Sequence, residues 1–269
     1  MTLLNAREQS LALLERLRDR GEVKPVGTGL AGLDRVLGGG LRRGLAILGG
    51  IPGAGKTAFG LQAGLRAAKA ETPFIFYTAE QSPTELLARV LAGAVGKPSR
   101  MLLDGEPNTL AAAFEVLDQL PLELTYFESD RQRANGAVAS LVDLVREVSD
   151  VHGSAPFAVV DYLQRLAPAN SDDELRVSIG HTSTRLANLV RDEDVILLVI
   201  SSLNRAAYRG EVTLDAFKET GSIEFDADQA FILRHSDEPD PAPGAKCPLK
   251  NNFPVCSSAP GSFHRGLSV

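Results

Sequence analysis

The sequence has few cysteines, no long apolar run and no excess of positive charge, and each absence excludes a class of protein. Two cysteines in 269 residues cannot support a disulfide scaffold in a chain of this length. No apolar run reaches the roughly 18 residues that span a bilayer, since the longest, 195–200, has the length of a strand. A formal net charge of −6 argues against a protein that coats nucleic acid through bulk charge, although it leaves room for a local basic site.

The amino terminus and the cysteines indicate the compartment of the protein. The first residues lack the charged segment and the apolar segment of a signal peptide. Cys247 and Cys256 lie near the carboxyl terminus, and two free thiols in a reducing compartment are favoured over a bridge or a metal site. We therefore expect a cytoplasmic protein with no membrane partner.

A hydrophobic fraction of 44% is that of an ordinary globular domain, and its pattern predicts an α/β fold. Apolar segments without alternation are typical of parallel strands that are buried on both faces. They alternate with segments of helical periodicity, which predicts a mostly parallel sheet covered by helices. The predicted strands are 45–48, 74–78, 122–127, 157–162, 195–201 and, as the last of them, 230–233. The predicted helices are 56–70, 83–94, 137–148 and 175–191.

Two terminal segments flank this domain, which we place at 23–235. Within the first segment, 1–22, leucines recur at helical spacing and predict one amphipathic helix over 3–20. The residues alone favour equally a helix that packs on its own domain and one that docks on a neighbouring subunit. The segment 236–269 contains six of the fifteen prolines, and we expect it to be irregular.

The segment 50–57 reads GIPGAGKT and matches the phosphate-binding motif G-x-x-x-x-G-K-[ST]. Glycines allow backbone N–H groups to turn towards phosphate oxygens, and the following helix directs its positive dipole end at the same anion. The motif follows a predicted strand and begins a predicted helix, which favours a nucleotide site over a glycine turn with an exposed lysine. The residues expected to bind the nucleotide are Gly50, Pro52, Gly53, Ala54, Gly55, Lys56, Thr57 and Ala58.

A nucleotide hydrolase also needs a magnesium site and a group that orients the attacking water. Lys56 can reach the β- and γ-phosphates, and Thr57 can ligate Mg²⁺. Asp161 ends a predicted strand, where a second magnesium ligand belongs, although an aspartate there can also be a cap or a turn residue. Glu80 follows a neighbouring predicted strand and can polarise water, although it can also be an N-terminal charge on the helix after it. We predict catalytic roles for Lys56, Glu80 and Asp161, with ATP and Mg²⁺ as the cofactors.

Four further segments resemble the motor domain of the DnaB-type replicative helicases, hexameric helicases with a RecA-like ATPase core. The likeness covers about residues 1–235. Its segments stand in the family's order and read TGLAGLD at 28–34, YTAEQS at 77–82, VDYLQ at 160–164 and GSIEFDAD at 221–228. The resemblance implies a RecA-like P-loop NTPase fold preceded by an amphipathic linker helix. It also implies an ATP-dependent DNA helicase that translocates on single-stranded DNA in replication.

The resemblance implies partners as well. In the family the linker helix packs on the adjacent subunit, which implies a homo-oligomer in the form of a hexameric ring. The family binds single-stranded DNA partly through a loop just before GSIE, and Lys218, Glu219 and Gly221 occupy that place here. Without the resemblance, Lys218 would be interpreted as a solvated surface lysine. Replication proteins are further expected partners.

Two of the departures from the family pattern bear on catalysis. Ser202 replaces the glutamine that senses the γ-phosphate, and a serine is shorter and has no amide. Lys250 is retained in a segment that sends a lysine and an arginine finger into the neighbouring site, but Asn252 stands in place of the arginine. Arginine fingers contribute about 10³ to 10⁵ in rate. These changes favour an alternative function, that of a RecA-like ATP-binding accessory or regulatory protein (helicase loader, recombination mediator or inhibitor) with little turnover.

Overall fold

A computed structural model describes most of the chain as one sheet with helices packed on it. The described residues are 5–19, 25–129, 137–166, 172–203, 226–235, 249–250 and 253–258. The strands are β1 (Gly44–Gly50), β2 (Phe74–Thr78), β3 (Thr125–Ser129), β4 (Phe157–Asp161), β5 (Ile196–Ser202), β6 (Gln229–His235), β7 (Leu249–Lys250) and β8 (Phe253–Ser258). The helices are α1 (Ala6–Asp19), α2 (Ala31–Val36), α3 (Lys56–Lys69), α4 (Pro83–Ala94), α5 (Ser99–Leu103), α6 (Pro107–Val116), α7 (Ala137–His152), α8 (Leu163–Leu166) and α9 (Asp172–Glu193).

The sheet is mostly parallel and has the strand order β3-β2-β4-β5-β1-β6-β8-β7. Every pair of neighbouring strands is parallel except β7 and β8, which are antiparallel. Because parallel strands end at the same edge of a sheet, the carboxyl ends of β1, β2, β4 and β5 lie on one side. This architecture confirms the predicted α/β fold.

Two apolar layers, one on each face, attach the helices to the sheet. Alternate residues of β1 belong to different layers: Leu45 and Ile47 pack with side chains of α7 and α9, whereas Ala46 and Leu48 pack with side chains of α3. Strands β1, β2 and β4 are buried along their whole length. Burial on both faces explains why these segments are apolar without alternation.

The helices agree with the prediction where the apolar periodicity is long. Within the predicted helix 3–20 the structure shows α1 over Ala6–Asp19, residues 3, 4 and 20 lying outside the described ones, and the four predicted internal helices correspond to α3, α4, α7 and α9. Helices α2, α5, α6 and α8 were not predicted, because ten residues or fewer give too short a window for a period of 3.6 to be recognised. Within the described ranges, no helix combines the length and the apolar character that crossing a bilayer requires.

The strand predicted at 122–127 begins too early. Leu122–Leu124 forms a 3₁₀ turn, and β3 spans Thr125–Ser129. The reason is the turn that precedes it: the N–H of Leu122 donates to the carbonyl of Leu120 at 2.8 Å across Pro121, whose fixed φ favours a turn. The sheet therefore starts three residues later than the apolar pattern indicates.

The carboxyl-terminal segment also differs from the prediction. The strand predicted at 230–233 spans Gln229–His235 and is not the last, because β8 pairs with it in parallel and aligns Val255 with Ile232. The expectation that 236–269 is irregular is therefore wrong for 249–250 and 253–258, and its other residues lie outside the described ones. Composition did not reveal these strands because the hydrogen-bonding partner of β8 is remote in sequence.

The segment 28–34 is anchored on the helix that follows the phosphate loop. The carboxylate of Asp34 accepts hydrogen bonds from the backbone N–H of Thr28 at 2.7 Å and from its hydroxyl at 2.6 Å. The carbonyl of Thr28 accepts from the side-chain amide of Gln62, on α3, at 3.1 Å. Gly29 has a φ of +87°, and a side chain there would overlap Gln62 and Arg66. Packing against α3 thus accounts for this motif.

The two aspartates at the end of the 221–228 segment connect β6 to its neighbours. Asp226 accepts a hydrogen bond from the hydroxyl of Ser183, on α9, at 2.6 Å. Asp228 accepts from the N–H of Leu45 at 2.8 Å through its carboxylate and donates its own N–H to the carbonyl of Leu45 at 2.9 Å. Both lie where β1 and β6 begin, at the sheet edge opposite the phosphate loop, so their contacts are structural.

Candidate nucleotide-binding site

The phosphate loop connects the end of β1 at Gly50 to the start of α3 at Lys56. Gly53 and Gly55 have φ values of +80° and +94°, in the left-handed region that glycine adopts without strain. An added Cβ at Gly53 would meet no atom within 4 Å, so the loop is open on that side. Backbone turned in this way at a helix N-terminus directs N–H groups at an anion. The geometry fits the phosphates of a nucleotide.

Lys56 lies over the loop that it is predicted to serve. Its ammonium donates to the carbonyls of Gly50 at 2.8 Å and Ile51 at 3.1 Å. Burial lowers the pKa of Lys56, and the carboxylates of Asp161 and Glu80 oppose that change. The ammonium thus contacts the loop backbone, and the charges of both predicted catalytic carboxylates act on it.

Thr57 and Asp161 form the direct link between α3 and β4. The Thr57 hydroxyl donates to Oδ2 of Asp161 at 2.7 Å, and Asp161 is only 3% exposed. Burial raises the pKa of Asp161; the hydrogen bond from Thr57 acts against this, and the charge of Glu80 adds to it. A hydroxyl and a carboxylate side by side are oxygen ligands of the kind that Mg²⁺ binds together with substrate phosphates. The pair therefore fits the predicted magnesium site.

Glu80 lies just beyond the end of β2, on the same edge. Thr78 is aligned with Asp161 across β2 and β4, and the next N–H, of Ala79, donates to the carbonyl of Asp161 at 3.1 Å. The N–H of Glu80 donates to the hydroxyl of Thr78 at 3.1 Å. The Glu80 side chain is exposed, so it can contact a bound ligand and water.

The alternative role predicted for Glu80 is that of a charge that stabilises the start of α4, but other residues perform this role. Ser82 caps α4 by accepting a hydrogen bond from the N–H of Glu85 at 3.3 Å. The Glu85 carboxylate in turn accepts from the N–H of Ser82 at 2.7 Å, which completes a capping box. The helix start is therefore satisfied without Glu80.

The remaining predicted residues fall into two groups. Ser202 is aligned with Gly50 across β1 and β5, so its backbone lies directly beside the phosphate loop. Lys250 lies in β7, which β6 and β8 separate from β1 in the sheet. The structure thus brings Ser202 to the site and does not bring the backbone of Lys250 there. The positions Lys218, Glu219, Gly221 and Asn252 lie outside the described residues.

Sequence analysis missed two arginines and a glutamine near this edge. The hydrogen bond to Tyr162 raises the pKa of Arg165, and the carboxylate of Glu80 adds to it. The positive charge of Arg89, on α4, lowers the pKa of Asp161 slightly, against the larger effect of burial, which raises it. Gln164 contacts the end of β5. Gln164 ends the segment VDYLQ, to which no role was assigned beyond Asp161, while Arg165 directly follows that segment and Arg89 lies on the helix after Glu80.

Comparison with solved structures supports the RecA-like ATPase fold. The chain superposes on the ATPase domain of G40P with a TM-score of 0.72 and 21% identity, over 91% of this chain and 89% of that one. It superposes on a DnaB-like replicative helicase, solved in a study of its interactions with primase, with a TM-score of 0.70 and 21% identity. That match covers 90% of this chain and 60% of the other. The RecA-like core predicted from the sequence is thus confirmed.

Sequence comparisons identify the family. The chain is 28% identical to the replicative DNA helicase DnaB of Haemophilus influenzae over 246 residues, 87% of this chain and 51% of that protein. It is 27% identical to that of Rickettsia bellii over 241 residues, 84% of this chain and 48% of the relative. It therefore spans about half the length of these relatives. The family model of the DnaB-like helicase C terminal domain matches residues 25–249, and the chain therefore belongs to this family.

Proposed function

We propose that this chain is an ATP-driven motor of the DnaB-like helicases, which hydrolyses ATP in order to translocate on single-stranded DNA during replication in the cytoplasm. One observation supports the proposal most directly. The Thr57 hydroxyl and the Asp161 carboxylate lie 2.7 Å apart, between a phosphate loop and the strand edge where Glu80 is exposed. A phosphate cradle, two magnesium ligands and a carboxylate that can accept a proton are the groups that hydrolysis of a nucleoside triphosphate requires.

Each group has a distinct task in this proposal. The loop N–H groups and the Lys56 ammonium bind and orient the phosphates of ATP. Thr57 and Asp161 would hold Mg²⁺, which would supply positive charge to neutralise the phosphates. Glu80 orients the attacking water and accepts its proton. Lys56, released from the carbonyls of Gly50 and Ile51, exchanges two backbone contacts for a charge-assisted contact with phosphate.

The proposed DNA contacts and those in trans rest on the family resemblance. Lys218, Glu219 and Gly221 are proposed to contact the DNA backbone, and Lys250 is proposed to reach the nucleotide of a neighbouring copy. A few phosphate contacts per subunit, repeated around a ring, would give a basic path through a protein of net charge −6. Replication proteins are proposed as further partners.

Stimulation of ATP hydrolysis by single-stranded DNA tests the motor directly. We expect the rate with Mg²⁺ to rise when an oligodeoxythymidylate is added. The variant Lys56→Ala should lower kcat/KM for ATP by about 10²-fold or more, because it removes a preorganised cation from the transition state. Lys69→Ala, an exposed lysine at the far end of α3, is the matched control and should leave the rate unchanged.

The alternative function predicts a different outcome of the same experiment. Ser202, beside Gly50, lacks the amide of the family's sensor, and this observation favours an accessory or regulatory protein with little turnover. Tight ATP binding with hydrolysis near background, unaffected by DNA, would support that alternative over the motor. Absence of nucleotide binding would contradict both.

We also propose that the copies assemble as a ring through α1. Leu11 and Leu14 on α1 are 48% and 62% exposed, although leucines at helical spacing favour a buried face. On the body of the domain, Leu103 of α5 and Phe114 of α6 are 52% and 74% exposed. Docking of α1 of one copy on α5 and α6 of the next would remove both of these exposed apolar surfaces from water.

Leu14→Asp is expected to disrupt this assembly. Truncation or charging of a central interface residue costs about 2 kcal/mol or more, so assembly should require at least about thirtyfold more protein. The measurement is the mass by light scattering with ATP, Mg²⁺ and single-stranded DNA. Phe114→Asp should act in the same way, and Val151→Asp, at an exposed valine of α7, should not. Assembly of Leu14→Asp at wild-type concentrations would exclude α1 as the contact.

A further inference from the structure

Strand β5 extends beyond the end of β4, its neighbour on one side. The pairing of β4 with β5 stops at Asp161 and Ile200. On the other side, β1 continues to pair with β5 as far as Gly50 and Ser202. Ser201 and Ser202 thus have no strand beside them in the direction of β4. Backbone polar groups at such a position need other partners, because an unpaired buried group is costly.

The side-chain amide of Gln164 supplies those partners. Its Nε2 donates to the hydroxyl of Ser201 at 3.0 Å and to the carbonyl of Ser202 at 3.4 Å. Its Oε1 accepts from the N–H of Ser202 at 3.4 Å. A carboxamide has the same donor and acceptor as a peptide group. Gln164 therefore continues the hydrogen-bonding of β4 to the backbone of Ser202 after the strand itself has ended.

The contact of Gln164 with the end of β5 lies close to the end of β4 and to the phosphate loop. Gln164 belongs to α8, three positions after Asp161. Ser202 is aligned with Gly50, whose carbonyl accepts from the Lys56 ammonium at 2.8 Å. Any displacement of the end of β5 is thus opposed by a group fixed to the end of β4. The chain that leaves β5 leads on to 217–221, the segment proposed to contact DNA.

We propose that Gln164 is a positioning residue that fixes the exit of β5 beside the phosphate loop and so couples the nucleotide site to the segment after β5. The coupling rests on the motor function proposed above, whereas the positioning does not. The amide that bridges α8 and the end of β5 is that of Gln164. The residue contacts neither phosphate nor water in this role; it acts through the backbone of Ser202.

Three variants separate the two parts of the proposal. Gln164→Met keeps the length of the side chain and removes all three hydrogen bonds. Gln164→Glu keeps an acceptor for the N–H of Ser202 but loses both donors. Gln119→Met is the matched control, since Gln119 is exposed and its side chain makes one hydrogen bond, to the carbonyl of Glu115 at 3.4 Å. The readouts are hydrogen exchange of the peptide that covers β5, and kcat and KM for ATP with and without oligodeoxythymidylate.

In Gln164→Met we expect the Ser202 amide to exchange about tenfold faster, as the loss of a hydrogen bond implies. The DNA-stimulated kcat should fall by about tenfold, while KM for ATP changes by less than about threefold, because the phosphate ligands are untouched. Gln164→Glu loses both donors and places a carboxylate against the carbonyl of Ser202, so the protection of the Ser202 amide and the stimulation by DNA should both fall. Gln119→Met should match the wild type in every readout.

Unchanged exchange at Ser202 in Gln164→Met would overturn the positioning role, whatever the activity. Faster exchange with full DNA stimulation would overturn the coupling and leave the motor function intact. A wild type that DNA does not stimulate would remove the motor function and the coupling together, and the exchange result would still decide the positioning. If Gln164→Met does not fold, then a Gln164→Glu variant with wild-type stimulation would overturn the coupling.

Discussion

Replacing Glu80 by Gln is expected to lower kcat for ATP hydrolysis by about 10² to 10⁴-fold, the contribution typical of a general base. Glutamine keeps the shape and the hydrogen-bonding of the side chain but cannot take a proton from water at neutral pH. Glu80 is exposed at the sheet edge where Thr57 and Asp161 meet, so the substitution removes little packing. The fold and the phosphate loop should be preserved.

Nucleotide affinity should change far less than turnover in this variant. In the proposed mechanism the loop backbone, Lys56 and Thr57 bind the phosphates, whereas Glu80 acts on the attacking water. The charge of Glu80 does act on Lys56, where it opposes the lowering of the pKa that burial causes. Because burial and the charge of Asp161 contribute more to the pKa of Lys56 than Glu80 does, we expect its loss to change the binding groups only slightly. The checks are single-turnover hydrolysis for the chemical step and equilibrium binding of a fluorescent ATP analogue.

Glu85→Gln is the matched control, because it changes a carboxylate five positions further along the same segment. Glu85 serves the capping box of α4, and glutamine can also accept the hydrogen bond from Ser82 at that position. Turnover should therefore stay at the wild-type level. If Glu80→Gln hydrolysed ATP at the wild-type rate, the base would have to lie elsewhere. If it lost binding and turnover equally, Glu80 would act on the ground state.

The parts of the site that are local in sequence could be predicted, and the parts made by distant residues could not. The phosphate loop is one continuous segment between a strand and a helix, and its glycines and its lysine are recognisable by type and spacing. Asp161 and Glu80 could be placed at one edge because each follows an apolar strand. The contact of Gln164 with Ser202 joins residues 38 positions apart, and nothing in either segment indicates the length by which β5 extends beyond β4.

The same reasoning applies to the fold. The buried strands of the centre are apolar throughout, so they could be recognised without their partners. Strand β8 could not, because it lies in a proline-rich segment and gains its hydrogen bonds from β6. The start of α6 carries a recognisable signal that sequence analysis overlooked: Glu106 accepts from the N–H of Asn108 at 3.2 Å, and Pro107 occupies the first position of the helix.

Gly64→Ala is expected to cost about 3 kcal/mol or more of the free energy of unfolding, at or above the upper end of the range for overpacking a core. Gly64 lies on α3, and an added Cβ would overlap the ring of Phe74 far inside van der Waals contact. That ring has no room to withdraw. It stacks on Phe157 at a centroid distance of 5.9 Å and meets the edges of Phe76 and Phe127 at 6.2 and 6.4 Å.

The overlap between the added methyl group and the Phe74 ring can therefore be removed only by a shift of α3, the helix whose first residues are Lys56 and Thr57. The folded fraction of Gly64→Ala should consequently bind ATP more weakly than the wild type. Gly60→Ala is the graded control, because its Cβ would come within 3.0 Å of a methyl group of Val159, a far milder contact. An alanine also stabilises a helix by about 0.5 to 1 kcal/mol relative to glycine, so the net change at Gly60 should be small.

Urea denaturation followed by circular dichroism measures these differences, and a second substitution at Phe74 identifies their cause. Phe74→Leu shortens the side chain that Gly64→Ala would strike. The double variant should recover at least about 1 kcal/mol of the loss expected from the two single changes, a coupling typical of residues in contact. Strict additivity would mean that the cost arises from the helix and not from the ring. A Gly64→Ala protein as stable as the wild type would contradict the close approach of α3 to β2, on which the position of the phosphate loop depends.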